Sequence, residues 1–249
     1  MQGMLIAANW KAYVEDAVKA KSLVATAKRL ARTEKSTIVL APPAPFLGAL
    51  AAGNRSTVAF AAQDVSATTG GAQTGEVTAQ TYAAAGASYA IVGHSERRAG
   101  GDTDAVVAEK LAHALVHDLT PILCVGERER DADGKYLQVV REQITRAFTP
   151  LSLKERTRII IAYEPIWAIG KTAAESIQPN DLAEMVLYIH KVTAELLPGK
   201  SGRSRILYGG SVEVGNIRTL AASSRVDGFL IGHASVDPQS FVGLVKELR

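Results

Sequence analysis

The stretch RIIIAYE, residues 158–164, shows the pattern from which the fold can be read. Its apolar residues follow one another. A strand with one face in solvent would instead alternate apolar and polar residues. A short, continuous apolar run is typical of a strand covered on both faces, as in a parallel sheet with helices outside it. The run is followed by a charged residue, Glu164, so a polar group stands where the buried strand stops.

Seven further β-rich apolar runs lie on either side of this stretch. They are MLIAANW (4–10), STIVLAPP (36–43), TVAFAAQ (57–63), SYAIVGH (88–94), TPILCVGE (120–127), RILYGG (205–210) and VDGFLIG (226–232). Helical patterns separate the runs. In residues 14–32, 102–118 and 179–197 the apolar positions recur three and four apart, and Pro179 or Asn180 supplies a start signal for the last of these helices.

Eight strands, each followed by helical sequence, favour one α/β domain over residues 1–249: a closed (β/α)8 barrel of parallel strands. The length agrees, because such barrels commonly use roughly 200–250 residues as a single unit. An open doubly wound sheet is the alternative. Against it, no strand is followed by G-x-G-x-x-G or G-x-x-x-x-G-K-[ST], so the usual nucleotide-binding loops are missing.

Composition narrows the classes of function. The net charge is +3, and basic residues are interleaved with acidic ones, so we expect no nucleic-acid partner. The apolar runs are far shorter than the roughly 18 residues of a membrane span, and MLIAANWK (4–11) is too short for a signal peptide, so we expect a cytoplasmic protein without a membrane partner. The single cysteine, Cys124, excludes an internal disulfide and a cysteine zinc site, and we interpret it as a packing residue.

In a (β/α)8 barrel the carboxyl ends of all strands face one rim, where the active site is built. Polar residues and glycines concentrate at the predicted strand ends: Asn9, Lys11, Gln63, His94, Glu127, Glu164, Gly209, Gly210, Ser211 and Gly232. A carboxylate, an imidazole, an amine and two glycine turns suit proton transfer on a phosphorylated carbonyl compound. No metal-ligand set is evident, and we expect no cofactor.

Four motifs stand at these strand ends: NWK (9–11), GHSERR (93–98), AYEPIWAIG (162–170) and YGGSV (208–212). In this order they resemble the triosephosphate isomerase family, and the resemblance spans essentially the whole chain. It implies an isomerase that interconverts dihydroxyacetone phosphate and glyceraldehyde 3-phosphate through an enediol(ate), without metal or cofactor.

The resemblance also implies roles for five catalytic candidates. Glu164 is the general base that moves a proton between adjacent carbons, and His94 is a neutral imidazole that donates a hydrogen bond to the substrate carbonyl. Lys11, with Asn9, stabilises the negative charge of the enediolate. Glu96 supports this network by pairing with Lys11 or a nearby base, although a simple surface role is the alternative.

For the phosphate, the resemblance points to Gly209, Gly210, Ser211 and Gly232, where backbone N–H groups can surround a dianion; tight turns are the structural alternative. Residues 165–170 resemble the family's lid, in which Gly170 offers its N–H to the phosphate, although a loop packed on the core would also explain them. The chain departs from the family at His233, which stands where a glycine is usual. The resemblance implies a phosphate-binding role for this position through its backbone N–H, and the imidazole either adds a pH-dependent contact to the phosphate or points outward. A side chain there would cost energy if the backbone needs a positive φ.

Two loops complete the prediction. After Gly170 the sequence KTAAESIQP departs from the family pattern and is about two residues longer before Pro179, which leaves the far hinge of the lid open. Residues 64–77 resemble the arm that inserts into a neighbouring subunit, with Thr74 near its tip reaching Asn9 and Lys11 of the partner, and so predict a homodimer. A mobile loop is the alternative.

Two other functions remain open at this point. One is an isomerase of a related four-carbon ketose phosphate, for which the altered loop after strand eight and the lid hinge leave room. The other is a catalytically silent protein that binds sugar phosphates.

Overall fold

The structure, a computed structural model, describes residues 3–172, 175–199 and 203–248. Strands and helices alternate along it. The strands are β1 (Leu5–Asn9), β2 (Thr37–Ala41), β3 (Ala59–Ala62), β4 (Tyr89–Val92), β5 (Thr120–Val125), β6 (Ile160–Tyr163), β7 (Ile206–Tyr208) and β8 (Gly228–Ile231). The helices are α1 (Ala17–Thr33), α2 (Ala44–Ala51), α3 (Ala79–Ala84), α4 (Ser95–Ala99), α5 (Asp104–Val116), α6 (Lys135–Phe148), α7 (Leu153–Arg156), α8 (Pro179–Leu196), α9 (Ile217–Ser224) and α10 (Pro238–Glu247). Short 3-10 helices follow β6 (Ile166–Ala168) and β8 (His233–Ser235).

The strands form one parallel sheet that closes on itself. Each strand pairs with the next in the chain, and β8 pairs with β1, where Ile6 lies opposite Phe229 and also opposite Ile38 of β2. The predicted (β/α)8 barrel is therefore confirmed, and the open doubly wound sheet is wrong.

Two separate layers of core explain why the strands lack polar alternation. One face of each strand points into the barrel, where a cluster made only of strand residues is buried: Leu5, Ala7, Val39, Ala41, Ala61, Ile91, Ile122, Cys124, Ile160, Ala162, Leu207 and Leu230. The other face packs against the helices in a larger cluster. Burying a large aliphatic side chain contributes roughly 1.5–3 kcal/mol, so both faces stabilise the fold. Cys124 is wholly buried, as expected of a packing residue.

The outer helices begin and pack as their sequence patterns predict. The side chain of Asp16 caps α1 by accepting a hydrogen bond from the Lys19 N–H at 2.7 Å. The buried face of α1 consists of Ala20, Leu23, Val24, Thr26, Ala27 and Leu30. Helix α8 begins at Pro179, one of the two predicted start positions. No helix in the described ranges combines the length and apolarity that a membrane span needs.

The carboxyl ends of β5 and β6 come unusually close at Gly126. A Cβ atom at this position would overlap the carbonyl oxygen of Glu164, so only glycine fits. The side-chain amide of Gln143 brackets the same peptide: its Oε1 accepts from the Gly126 N–H at 2.8 Å, and its Nε2 donates to the Gly126 carbonyl at 3.2 Å. The backbone of Gly126 therefore lies against that of Glu164 at the rim, and Glu127 follows immediately.

Candidate active site

A pocket of about 360 Å³ opens at the carboxyl end of the barrel. Every residue to which the resemblance assigned a catalytic or phosphate-binding role, except Glu96, lines it, so the pocket brings together the ends of β1, β4, β6, β7 and β8. Glu96 lies at its edge, in contact with Lys11. The lining residues that the sequence did not single out are Tyr13, Ile169, Lys171, Val212, Glu213, Leu230 and Ala234.

Glu164 and His94 face each other across the floor of the pocket. The Nε2 atom of His94 lies 3.3 Å from Oε1 of Glu164, and the Ser95 backbone N–H donates to Oε2 of Glu164 at 3.1 Å. Both side chains are almost fully buried in the protein. A carboxylate and an imidazole therefore lie close to each other in a pocket that can hold a small substrate.

The backbone fixes the orientation of the His94 ring. His94 is the residue that caps α4, and its Nδ1 accepts a hydrogen bond from the Glu96 N–H at 3.2 Å. Because Nδ1 accepts, a neutral ring carries its proton on Nε2. The N–H that results points toward Glu164 and the pocket, which is the arrangement needed to donate to a carbonyl oxygen.

Lys11 sits in a turn that neighbouring side chains hold in place. Its φ is 46°, in the left-handed region that non-glycine residues rarely occupy. Oδ1 of Asn9 accepts from the Lys11 N–H at 3.0 Å, and Nε2 of Gln63 donates to the Lys11 carbonyl at 2.9 Å. These two bonds satisfy the polar groups of the turn and aim the amine at the pocket.

The Lys11 amine forms an ion pair with Glu96. The Nζ and Oε1 atoms lie 2.6 Å apart, so the structure bears out the pairing of Glu96 with Lys11. Partial burial opposes ionisation of Glu96, but the hydrogen bond and charge of Lys11 outweigh it and lower the pKa of Glu96. Glu96 is thus a charged partner that holds Lys11 in position.

The glycine turn after β7 lies directly beside Glu164. A Cβ on Gly209 would come within 2.8 Å of Cγ of Glu164, so a side chain there would displace the carboxylate. The hydroxyl of Ser211 accepts a hydrogen bond from the Lys171 N–H at 3.0 Å and links this turn to the segment after Gly170. The lid end and the β7 turn therefore meet at one side of the pocket.

His233 opens the short 3-10 helix after β8 and lines the pocket beside Gly232. Its φ is not positive; within the described ranges the non-glycine residues with positive φ are Lys11, Asp118 and Arg225. The expected energetic cost of a side chain at this position is therefore absent. The imidazole instead packs edge to face on the ring of Tyr13, with ring centroids 5.2 Å apart.

Glu127 was grouped with the polar rim, but it does not line this pocket. Its side chain is 1% exposed, and Oε1 accepts two hydrogen bonds, from the Tyr163 hydroxyl and from Nε1 of Trp167, both at 2.8 Å. Burial, and next the charge of Glu127, raise the pKa of Tyr163, so its phenol stays protonated and keeps donating. Glu127 anchors the start of the 165–170 loop, because Trp167 belongs to it.

The far hinge of that loop is only partly described. The predicted insertion between Gly170 and Pro179 includes residues 173 and 174, which lie outside the described residues.

Arg98, in the GHSERR motif, is a supporting residue that sequence reasoning left without a role. Its Nε donates to the Gly93 carbonyl at 2.8 Å and its Nη1 contacts Oδ1 of Asp104 at 2.7 Å. Both bonds hold the loop that carries His94. Its place in the motif was the available signal, but the sequence does not show that the chain turns back so that Gly93 and Asp104, five and six residues away, contact the guanidinium group.

An ionic cluster around the buried Lys110 supports the 64–77 loop. Nζ of Lys110 lies 2.7 Å from Asp64 and 2.6 Å from Asp102, and Arg97 reaches Asp64 at 2.8 Å. Residues 69–76 beyond this base are exposed, Thr74 among them. In the part of the chain that the structure describes, no group of three or more His, Cys, Asp or Glu side chains is placed to hold a metal ion.

Comparison with known proteins agrees with this geometry. The family model described as triosephosphate isomerase matches residues 4–248. A triosephosphate isomerase of Moorella thermoacetica is 38% identical over an alignment of 252 residues, gaps included. The alignment covers 99% of this chain and 99% of the relative. Relatives with the same description from Thermus thermophilus and Bradyrhizobium sp. are each 39% identical, over 250 residues (99% of both chains) and 251 residues (97% of this chain and 96% of the relative).

Proposed function

This chain belongs to the triosephosphate isomerase family, and we propose that it interconverts dihydroxyacetone phosphate and D-glyceraldehyde 3-phosphate through an enediol(ate) intermediate. The single observation that carries the proposal is the placement of Glu164 against His94 in a pocket that also holds Lys11 and the two glycine turns.

Glu164 is the base in this proposal. From dihydroxyacetone phosphate, its carboxylate takes a proton from C1; the C–H electron pair forms a C1–C2 double bond, and the oxygen on C2 takes up the negative charge. Proton movement between the two oxygens and return of a proton to C2 then give the aldehyde. Since Glu164 accepts from the Ser95 N–H in the structure, the carboxylate must turn out of that bond to reach the substrate.

His94 and Lys11 stabilise the charge that develops on oxygen. The hydrogen bond from the Glu96 N–H to Nδ1 of His94 supports a ring that donates from Nε2, and Lys11 adds a fixed positive charge. Donors already aimed at the developing charge need no rearrangement during the reaction, and removing one such group commonly costs about 2.7–4 kcal/mol of transition-state stabilisation.

The other end of the pocket binds the phosphate. The backbone around Gly209, Gly210, Ser211 and Gly232, with the N–H of Gly170 from the lid, supplies donors without a long cationic side chain. Closure of residues 165–170 excludes water and protects the enediolate from losing phosphate.

A coupled assay of the purified protein with each triose phosphate tests this function. We expect robust turnover, strongly reduced in Glu164→Gln. Comparison of kcat/KM with a four-carbon ketose phosphate separates the alternative substrate, which the relatives do not favour. Absence of turnover with preserved phosphate binding would instead support a silent binding protein.

We also propose a cytoplasmic homodimer acting in glycolysis and gluconeogenesis. The exposed tip of the 64–77 loop, held at its base by Asp64 and Lys110, supports insertion of Thr74 into a second copy near Asn9 and Lys11. Sedimentation of Thr74→Arg tests the dimer: we expect a shift toward monomer and a loss of activity that parallels it. A single cysteine without a disulfide is consistent with a reducing compartment.

A further inference from the structure

His233 and Tyr13 form an aromatic pair at the rim of the pocket. Their ring centroids are 5.2 Å apart with an interplanar angle of 74°, and both residues line the cavity. Tyr13 follows β1 and His233 follows β8, the two strands whose pairing closes the barrel. The pair therefore stands on a rigid part of the scaffold, although both side chains are exposed.

The side-chain polar atoms of this pair have no partner among the residues that the structure describes. Among the described residues, neither the imidazole of His233 nor the hydroxyl of Tyr13 takes part in a hydrogen bond or an ion pair; Lys19 contacts only the backbone carbonyl of Tyr13. An imidazole fixed by ring packing, with its nitrogen atoms free, is ready to bind a ligand in the adjoining pocket.

We propose that the imidazole of His233 is an additional ligand of the substrate phosphate and that Tyr13 is the positioning residue that holds it. The inference rests on the proposed function, which puts the phosphate beside Gly232. A glycine at position 233 would offer the phosphate only its backbone N–H. The histidine keeps that donor and adds a ring N–H.

The charges around the pair favour an anion at this place. Lys11 approaches Gly232 closely, since a Cβ on Gly232 would lie 3.4 Å from Cε of Lys11, and Lys171 lines the same pocket. The acidic side chains that line the pocket are Glu164, engaged with His94 and Ser95, and Glu213. A phosphate monoester dianion is the part of a small sugar phosphate that can use an imidazole N–H at this rim.

The test measures binding of inorganic phosphate by calorimetry. His233→Phe keeps an aromatic ring against Tyr13 but removes both nitrogen atoms, and we expect the dissociation constant to rise about threefold to tenfold. The KM for triose phosphate should rise alongside it. A dissociation constant in His233→Phe equal to that of the unmodified protein would overturn the proposal.

A double-mutant cycle tests the role of Tyr13. Tyr13→Ala should weaken phosphate binding about twofold to threefold in the unmodified protein and have no further effect in His233→Phe, because Tyr13 acts through His233. An equal loss in both backgrounds would contradict positioning. The phosphate-binding measurements need no catalysis, so failure of the proposed function, seen as absent turnover, remains distinguishable from failure of this inference.

Discussion

Glu127 and Glu164 stand at the ends of adjacent strands, 1% and 2% exposed, yet they have different partners. Glu127 accepts hydrogen bonds from Tyr163 and Trp167 and has no contact with the pocket, whereas Glu164 lies against His94 inside it. Both are almost equally buried, but Glu164 directly follows β6, whereas Glu127 comes two residues after the end of β5. Position and contacts together distinguish a carboxylate that anchors a loop from one that can move a proton.

Each carboxylate also has a weak acid beside it that stays protonated. Burial, followed by the charge of Glu127, raises the pKa of Tyr163, and burial, followed by the charge of Glu164, raises the pKa of Cys124 well above its usual value. Tyr163 and Cys124 therefore stay neutral, and neither places a second negative charge beside its carboxylate. The two sites differ in their hydrogen-bond donors. Glu127 accepts from two side chains, whereas Glu164 accepts from one backbone N–H and lies against an imidazole.

The strongest test of this comparison is Glu164→Gln. If Glu164 is the base, the neutral amide should lower kcat at least a thousandfold, within the range that general acid–base catalysis contributes, about 10²–10⁴. Steady-state kinetics in both directions measures the loss, and calorimetry with inorganic phosphate should show unchanged binding. A variant that turns over normally would remove Glu164 from its assigned role.

Glu127→Leu should act on stability and on the lid rather than on proton transfer. Two buried donors lose their acceptor, so we expect the free energy of unfolding to fall by about 2–4 kcal/mol. A loosely held lid should also let more of the intermediate lose inorganic phosphate. Urea denaturation and a phosphate-release assay measure these effects, and unchanged phosphate release would show that Glu127 does not control the lid.

Glu96→Gln extends the comparison to a carboxylate that is 62% exposed and paired with Lys11. Exposed ion pairs contribute roughly 0.2–1 kcal/mol, so we expect the KM to rise by less than about fivefold, with a smaller difference at high salt. Kinetics at two ionic strengths checks this. A loss as large as that of Glu164→Gln would mean that Glu96 touches the reacting atoms.

The smallest effect is expected at Cys124. Only the thiolate reacts with iodoacetamide, and the raised pKa keeps the thiol protonated as the pH rises through that of an ordinary cysteine, about 8.5. Labelling of the folded protein at pH 8.5 should therefore be far slower than labelling in urea. Because burial is the larger cause, Glu164→Gln should leave the folded protein almost as resistant; rapid labelling of that variant would make charge the dominant cause.

The sequence predicted the strands, which depend on local apolar patterns, and the site residues that stand at strand ends. Continuous apolar runs identified the strands, and their closing polar residues included both Glu164 and His94. The anchoring role of Glu127 was missed because it depends on contacts with Tyr163 and Trp167, residues 36 and 40 positions away. No local pattern encodes those distances.

The pocket residue Tyr13 shows the same limit. It was not predicted because its partner is His233, on the opposite end of the chain, and only closure of the barrel makes them neighbours. Backbone strain at position 233 was expected only for a positive φ, and φ there is not positive. The residue opens the 3-10 helix after β8, which the residue type alone does not reveal.

Gly126 has a consequence for how substitutions at this rim would be interpreted. Because its missing side chain lets two strand ends touch, any replacement would push Glu127 and Glu164 apart and disturb the anchor and the base together. A mutational scan scored by growth would rank position 126 with the reacting residues, although it contacts no substrate. Intolerance to mutation at Gly126 would thus reflect the close spacing of the two strand ends. It would not be evidence that Gly126 takes part in the reaction.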